Sequence, residues 1–295
     1  MSVQAFQCPG QVNNPLSLAH AKSTLWSVPM IIKSRAIQCI TLAVSVAITA
    51  PAMAGVTKSP GVLKVAMEAT YPPFGSYDDQ QRIVGADPEL AAALARQMGV
   101  ELTIIDAKFP SLIMGLNAGH YDAVISGMYI TPERQTQTQT LGYAQSGASV
   151  LVPKGSKLKI SRAEDLCGTT LGLLQASAWV AEFRSLSSSY CEPQGKGAIV
   201  VNEYPSGPEV TQATLSRNVQ AQVEMGAAAR MILERTGDRL AIASDKQIYP
   251  QTLGIFVKKN NSETYEALRS AFERIKANGE YAAILEKYNL EAAPN

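Results

Sequence analysis

Histidine and tryptophan each occur only twice in the 295 residues. His20 lies in a prefix without periodicity, and His120 sits in the turn NAGHYD, where a solvated surface position is expected. With no histidine cluster and no closely spaced cysteine pair among the four cysteines, zinc ligation is not expected. A formal net charge of +1 leaves no basic footprint for nucleic acid. Nucleophile elbow, Walker loop, dinucleotide fingerprint and zincin motif are all missing, so no cofactor or metal is expected and an enzyme is the weaker class. The apolar run at residues 36–50 is too short for a bilayer span.

What that run does fit is export. Lys33 and Arg35 precede it, and the small-residue site Ala52-Met53-Ala54 follows, so residues 30–54 read as a cleaved signal peptide. Residues 1–29 then read as an over-extended translation start or a disordered prefix. Cys8 and Cys39 fall in the part to be removed. Cys167 and Cys191 remain, flanking a polar loop with SSS, and in an oxidising compartment a structural disulfide between them is favoured over two free thiols.

Beyond Val62 strand and helix signals alternate. VLKVAME leads into the loop ATYPPFGSYDD, which carries Tyr71 and Phe74. ADPELAAALARQMG predicts a helix with Asp87 as N-cap, Pro88 as first residue and Gly99 past its end. VELTIIDA, SLIMGLNAG and YDAVIS follow as strand, helix and strand. A second α/β set runs from TTLGLL through a helix at residues 178–186, AIVVNEY, a helix from about Glu209 and an apolar stretch around residues 227–233 to the late strand LGIFVKK. The tail repeats Tyr265, Leu268, Phe272 and Ile275 at helical spacing and breaks at Asn278-Gly279. Two α/β units joined by strands fit this order better than one long sheet. Leu90, Leu94, Leu112, Leu116, Leu268, Phe272 and Ile275 are the expected core; Trp179 fills a core or edges a cleft.

The stretch ISGMYITPERQ carries the sharpest chemical signal. Its apolar run ends at Ser126, Thr131 caps a helix opened by Pro132, and Arg134 places a guanidinium fork in the first turn. Free backbone N–H groups and such a fork suit a small carboxylate; pairing of Arg134 with Glu133 or another surface acid is the plainer alternative.

ATYPPF, GADPELAAALARQMGV, LIMGLNAGHYDAVISGMYITPERQ, SGASVLVPKG, DLCGTTLGLLQ, the YPS segment and ANGEYAAILEKYNL occur in an order and spacing that resemble family 3 periplasmic solute-binding proteins, the receptors of polar amino acid ABC importers. The resemblance spans residues 62–290. It implies a periplasmic, monomeric, two-lobed α/β clamshell, each lobe a central sheet flanked by helices, joined by two crossover strands. Lobe 1 would comprise residues 55–149 and 254–295, lobe 2 residues 150–253. A small solute binds between the lobes and an inner-membrane ABC permease is the partner. By the same resemblance Tyr71 lies against the solute, with Phe74 packing beside it and Glu68 at a neighbouring site. Ser126, Gly127 and Tyr129 contact the solute, Arg134 grips its carboxylate, and Gln175, Ala176 and Ser177 hold it from the second lobe. The paired cysteines match a subgroup with DLCG.

Departures from the resemblance concern the amino end of the solute. Met225 stands where relatives carry an amine-binding aspartate, and Glu224 on an extended segment would face the opposite way. Glu224 rotated inward, Glu68 acting alone, or a solute without an α-amine all remain open. Tyr129 replaces a small residue, and TLGY lacks an aromatic-wall phenylalanine. A cyclohexadienyl dehydratase-like enzyme and a non-transport solute sensor are the alternatives on this scaffold.

Overall fold

A computed structural model describes residues 56–244 and 246–294; the signal-peptide and prefix expectations lie outside the described residues. The order is β1 (Val62–Met67), β2 (Thr70–Tyr71), β3 (Gly75–Tyr77), β4 (Ile83–Val84), α1 (Ala86–Met98), β5 (Glu101–Asp106), α2 (Leu112–Ala118), β6 (Ala123–Tyr129), α3 (Pro132–Gln137) and β7 (Thr138–Pro153). Then come β8 (Thr170–Leu174), α4 (Ala178–Leu186), β9 (Val200–Tyr204), α5 (Gly207–Leu215), β10 (Ala221–Met225), α6 (Gly226–Thr236), β11 (Leu240–Ile242), β12 (Ile248–Lys258), α7 (Ser262–Ala277) and α8 (Glu280–Lys287).

The architecture is a two-lobed α/β clamshell. In the first lobe β5, β1 and β6 are parallel, and in the second β10, β8 and β9 are parallel. Between them run the long strands β7 and β12, antiparallel to each other, with β12 against β6 and β7 against β10. The two crossover strands expected between the lobe sheets are thus β7 and β12, and they also hydrogen-bond those sheets to one another. Because β7 has 16 residues and serves both lobes, the hydrogen-bonded order is continuous, β5-β1-β6-β12-β7-β10-β8-β9. The parallel strands β1, β6, β8 and β10 all point their carboxyl ends at the groove between the lobes, the edge at which open α/β sheets take ligands.

Local signals placed most helices. Gly99 and Gly119 close α1 and α2 in the left-handed conformation, and the Thr131 hydroxyl accepts the Arg134 N–H at the start of α3. The seven expected core side chains are buried, while His120 is exposed. Two boundaries differ. YDAVIS continues through Gly127 to Tyr129 as β6. Helix α1 begins at Ala86 with Gly85 as N-cap, not at Pro88 with Asp87 as cap. Gly85 has φ 138°, and a Cβ there would lie 2.3 Å from the Phe74 carbonyl oxygen, so the chain turns into the helix where only glycine fits.

Asp87 is thereby freed for another task. Fully buried, it accepts hydrogen bonds from the Gly127 N–H at 2.7 Å and the Tyr143 hydroxyl at 2.6 Å. It thus ties α1 to the end of β6 and to β7. Burial pushes its carboxyl up to about 7, against the hydrogen bonds from Tyr143 and Gly127. Cys167 and Cys191 form the disulfide, with Cα atoms 5.3 Å apart, and pin the approach to β8 to the turn after α4.

Two stability measurements follow. Replacing both bridged cysteines by serine should lower the unfolding free energy in guanidinium titration by about 3 kcal/mol; an unchanged value would show that the bridge constrains nothing in the unfolded chain. The Asp87 carboxyl is raised on folding, so the native state binds the extra proton, and its stabilising contribution is complete below pH ~4 and lost as the pH rises to about 7. Urea unfolding should show a stability loss between pH 5 and 8 that shrinks by roughly 2 to 3 kcal/mol in Asp87→Asn.

Candidate functional site

Where the carboxyl ends of the parallel strands meet, a cavity of about 30 Å³ is lined by Glu68, Tyr71, Phe109, Ser126, Gly127, Tyr129, Arg134, Leu174, Ser177, Ala178, Trp179, Glu224 and Met225. Glu68 follows β1, Ser126 to Tyr129 end β6, Ser177 to Trp179 open α4 after β8, and Glu224 and Met225 end β10. Nine of the twelve residues expected at the site line this one cavity. The other three lie around it. Phe74 is buried behind Tyr71, ring centroids 5.7 Å apart. Gln175 is exposed, and Ala176 takes part through its carbonyl. Gly127, at φ 52°, has Met225 Cε and Phe74 Cγ each 3.0 Å from where a Cβ would be, so a larger residue would push Met225 or Phe74 aside.

Arg134 bridges the lobes. One terminal nitrogen donates to the Tyr129 carbonyl at 2.6 Å, the other to the Ala176 carbonyl at 2.8 Å across the groove, and the guanidinium sits 5.7 Å from the Phe109 ring centre. Ala176 presents that carbonyl from a left-handed backbone, φ 60°. No ion pair to Arg134 occurs among the described residues, so the surface pairing with Glu133 is not formed. Burial lowers the guanidinium to about 10, against the opposing Glu133 charge. Arg134, Phe109, Ser177 and Ala178 also border an outer cleft of about 610 Å³ between α3 and α4.

Two buried carboxylates line the same cavity. Glu224 is 3 % exposed; it accepts from the Tyr71 hydroxyl at 2.8 Å and from Gln222 Nε2 at 3.2 Å. The Met225 N–H donates to the same Tyr71 hydroxyl at 3.2 Å, so Tyr71 crosses from the first lobe to the second. Burial holds the Glu224 carboxyl up at about 7 despite the hydrogen bonds from Tyr71 and Gln222. Glu68 is also 3 % exposed, its backbone N–H donating to Ser126 Oγ at 3.0 Å. Burial raises its carboxyl, opposed mainly by the Lys108 charge.

The expectation that Glu224 faces away from Met225 is corrected, since both line the cavity. Met225 is the last residue of β10 and the cap residue of α6, and the cavity is lined from both sides of that strand end. Tyr143 is no wall residue: its ring is buried and its hydroxyl serves Asp87. The aromatic surface comes instead from Tyr129 packed edge-on to Trp179 at 5.4 Å, and from Phe109. Trp179 is both buried core and cleft wall. Phe109, Leu174 and Ala178 were not foreseen; Leu174 and Ala178 bracket the expected 175–177 segment, whereas Phe109 follows β5 and nothing local marks it.

Known proteins are similar to this chain in sequence and fold. Residues 63–291 match the bacterial extracellular solute-binding proteins, family 3. The chain is 28% identical over 234 residues to the L-cystine-binding protein TcyJ of Escherichia coli (strain K12), covering 78% of this chain and 84% of that one. To ABC transporter arginine-binding protein 1 of the same strain it is 31% identical over 228 residues, 75% of this chain and 88% of the relative. Among solved structures, an ancestral arginine-binding protein bound to glutamine superposes with a TM-score of 0.70 at 31% identity, over 77% of this chain and 97% of that one. Strand ends, cavity, cross-groove arginine and disulfide together with these matches lead to one conclusion: the chain belongs to the family 3 bacterial extracellular solute-binding proteins.

Proposed function

We propose that the protein is the periplasmic receptor that delivers an α-amino acid to an inner-membrane ABC permease, holding it by both charged ends between two closing lobes. The lobes are assigned as residues 55–149 with 254–295, and 150–253. The carrying observation is the Arg134 fork, unpaired with any acid among the described residues, at a cavity that two buried carboxylates also line. Relatives named for arginine and for cystine support an amino-acid-like solute, and the arginine-binding structure that holds glutamine shows how broad that class is.

In this reading the protein's own groups already make the contacts that a solute would replace. The solute carboxylate takes the guanidinium from the Ala176 carbonyl, exchanging a neutral acceptor for a charged, bidentate one. The solute ammonium takes Glu224 from the Tyr71 hydroxyl. Met225 occupies the position of the relatives' aspartate, and Glu224, one residue earlier, supplies the counter-charge that a buried ammonium requires. Ser126, Gly127 and Ser177 border the carboxylate end, and Tyr71, backed by Phe74, forms the wall beside the ammonium. Lobe closure excludes water and strengthens both ion pairs. The dehydratase and sensor alternatives have no comparable support, since the relatives are named as binding proteins.

Calorimetry on the amino acid giving the largest thermal shift in a screen of free amino acids should show about a hundredfold weaker binding for Arg134→Ala, two charge-assisted hydrogen bonds being lost, and a smaller loss for Arg134→Lys. An unchanged Kd would sink the assignment. Glu224, at about 7 in the free protein, must ionise to hold an ammonium, so affinity should fall as the pH drops below about 7. Glu224→Gln should bind more weakly at pH 8 and show a much flatter profile between pH 5.5 and 8.

A further inference from the structure

Seven buried side-chain polar atoms lack a hydrogen-bond partner among the described residues, and four of them belong to residues that line the cavity: Glu68 Oε1, Tyr129 OH, Ser177 Oγ and Trp179 Nε1. Buried polar groups are nearly always satisfied, so a cluster of exceptions round one cavity calls for a ligand that meets them. Glu68, Tyr129 and Trp179 are each 3 to 4 % exposed, so bulk water does not serve them.

With the head group's carboxylate assigned to Arg134 and its ammonium to Glu224, Trp179 Nε1 and Glu68 Oε1 are left for the solute's side chain. An indole N–H can only donate, and an ionised carboxylate oxygen can only accept. Trp179 Nε1 therefore asks for an acceptor while Glu68 Oε1 asks for a donor. The Tyr129 and Trp179 rings meet edge to face at 5.4 Å. Tyr129 comes from β6 and Trp179 from α4, so this pair of donors assembles from opposite sides of the groove.

Resting on the amino-acid reading above, we infer that Tyr129 and Trp179 are specificity-determining residues that recognise a side-chain carbonyl oxygen, with Glu68 taking the adjoining N–H, so that the solute carries a carboxamide or ureido side chain. A guanidinium or ammonium side chain offers donors alone and leaves the indole unpaired. A carboxylate side chain offers acceptors alone and meets Glu68. An alkyl side chain satisfies neither. One amide offers both, a carbonyl oxygen to accept from the indole and an N–H to donate to the carboxylate.

L-Citrulline and L-arginine are near-isosteres that differ in this feature, and L-glutamine is the shorter amide. Calorimetry on the signal-free chain with these three probes decides the matter, with Tyr129→Phe and Trp179→Phe removing one donor each and keeping the ring. Leaving one buried group unpaired costs about 1 to 3 kcal/mol, or roughly 5- to 150-fold. The tighter of the two amides should bind at least ~5-fold more strongly than L-arginine. Each variant should weaken that amide at least ~5-fold and L-arginine less than ~2-fold, with circular dichroism and melting confirming the fold. Tyr129→Phe alone carries the test should Trp179→Phe not fold. L-arginine binding as tightly as either amide, or amide affinity untouched by the folded variants, overturns the inference. If the probes bind in an Arg134-dependent way without amide preference, this inference fails and the receptor reading stands. If no free amino acid binds, the receptor reading fails as well.

Discussion

The structure depends on the pairing of β7 with β12. These two antiparallel strands run side by side from Thr138 against Lys258 to Ala148 against Ile248, and each is shared by the lobes. Their ladder fixes which way β6 and β10 run, and hence that β1, β6, β8 and β10 end at the same groove. The ladder is irregular between Ile248 and Gln251 and again at Leu253 and Gly254. Bending is least costly where ladder bonds are already absent, so these positions suit a hinge. The carboxyl-terminal segment braces the same region. Tyr281 donates to the Tyr143 carbonyl, and the Gln145 N–H donates to the Glu291 carbonyl.

Round the groove, charges are held by backbone dipoles and hydroxyls more than by opposite charges. Two carbonyls receive the Arg134 fork, Tyr71 and Gln222 serve Glu224, and a backbone N–H with Tyr143 serves Asp87. Such neutral partners satisfy geometry without cancelling charge, which leaves Arg134 and Glu224 able to gain from an ion of the solute. Asp87 differs from these. It lies behind the cavity and holds the Gly127 backbone, where a positive φ turns the end of β6 past Met225 and Phe74. The asymmetry between a rigid rear support and exchangeable front contacts is what a receptor that must release its solute requires.

Much of this was legible residue by residue. Thr131-Pro132, Gly99, Gly119 and Asn278-Gly279 placed helix ends because capping depends on local backbone conformation alone. The cysteine pair and the position of Arg134 came from a compartment argument and a motif. The start of α1 was misread because Asp87-Pro88 is a good local cap signal, whereas Gly85 is selected by its approach to the Phe74 carbonyl. Phe109 and the role of Tyr143 were invisible for a like reason: their partners, Arg134 and Asp87, are far away in the chain.

The sequence by itself determined the alternating α/β order, the caps, the family and the position of Arg134. All of these rest on short-range rules or on motif order. Only the tertiary structure decided that Glu224 and Met225 both face the cavity, that Tyr71 reaches Glu224, and that Tyr129 meets Trp179. Those contacts join strand ends from opposite lobes, and their geometry is set by how β7 and β12 bring the lobes together.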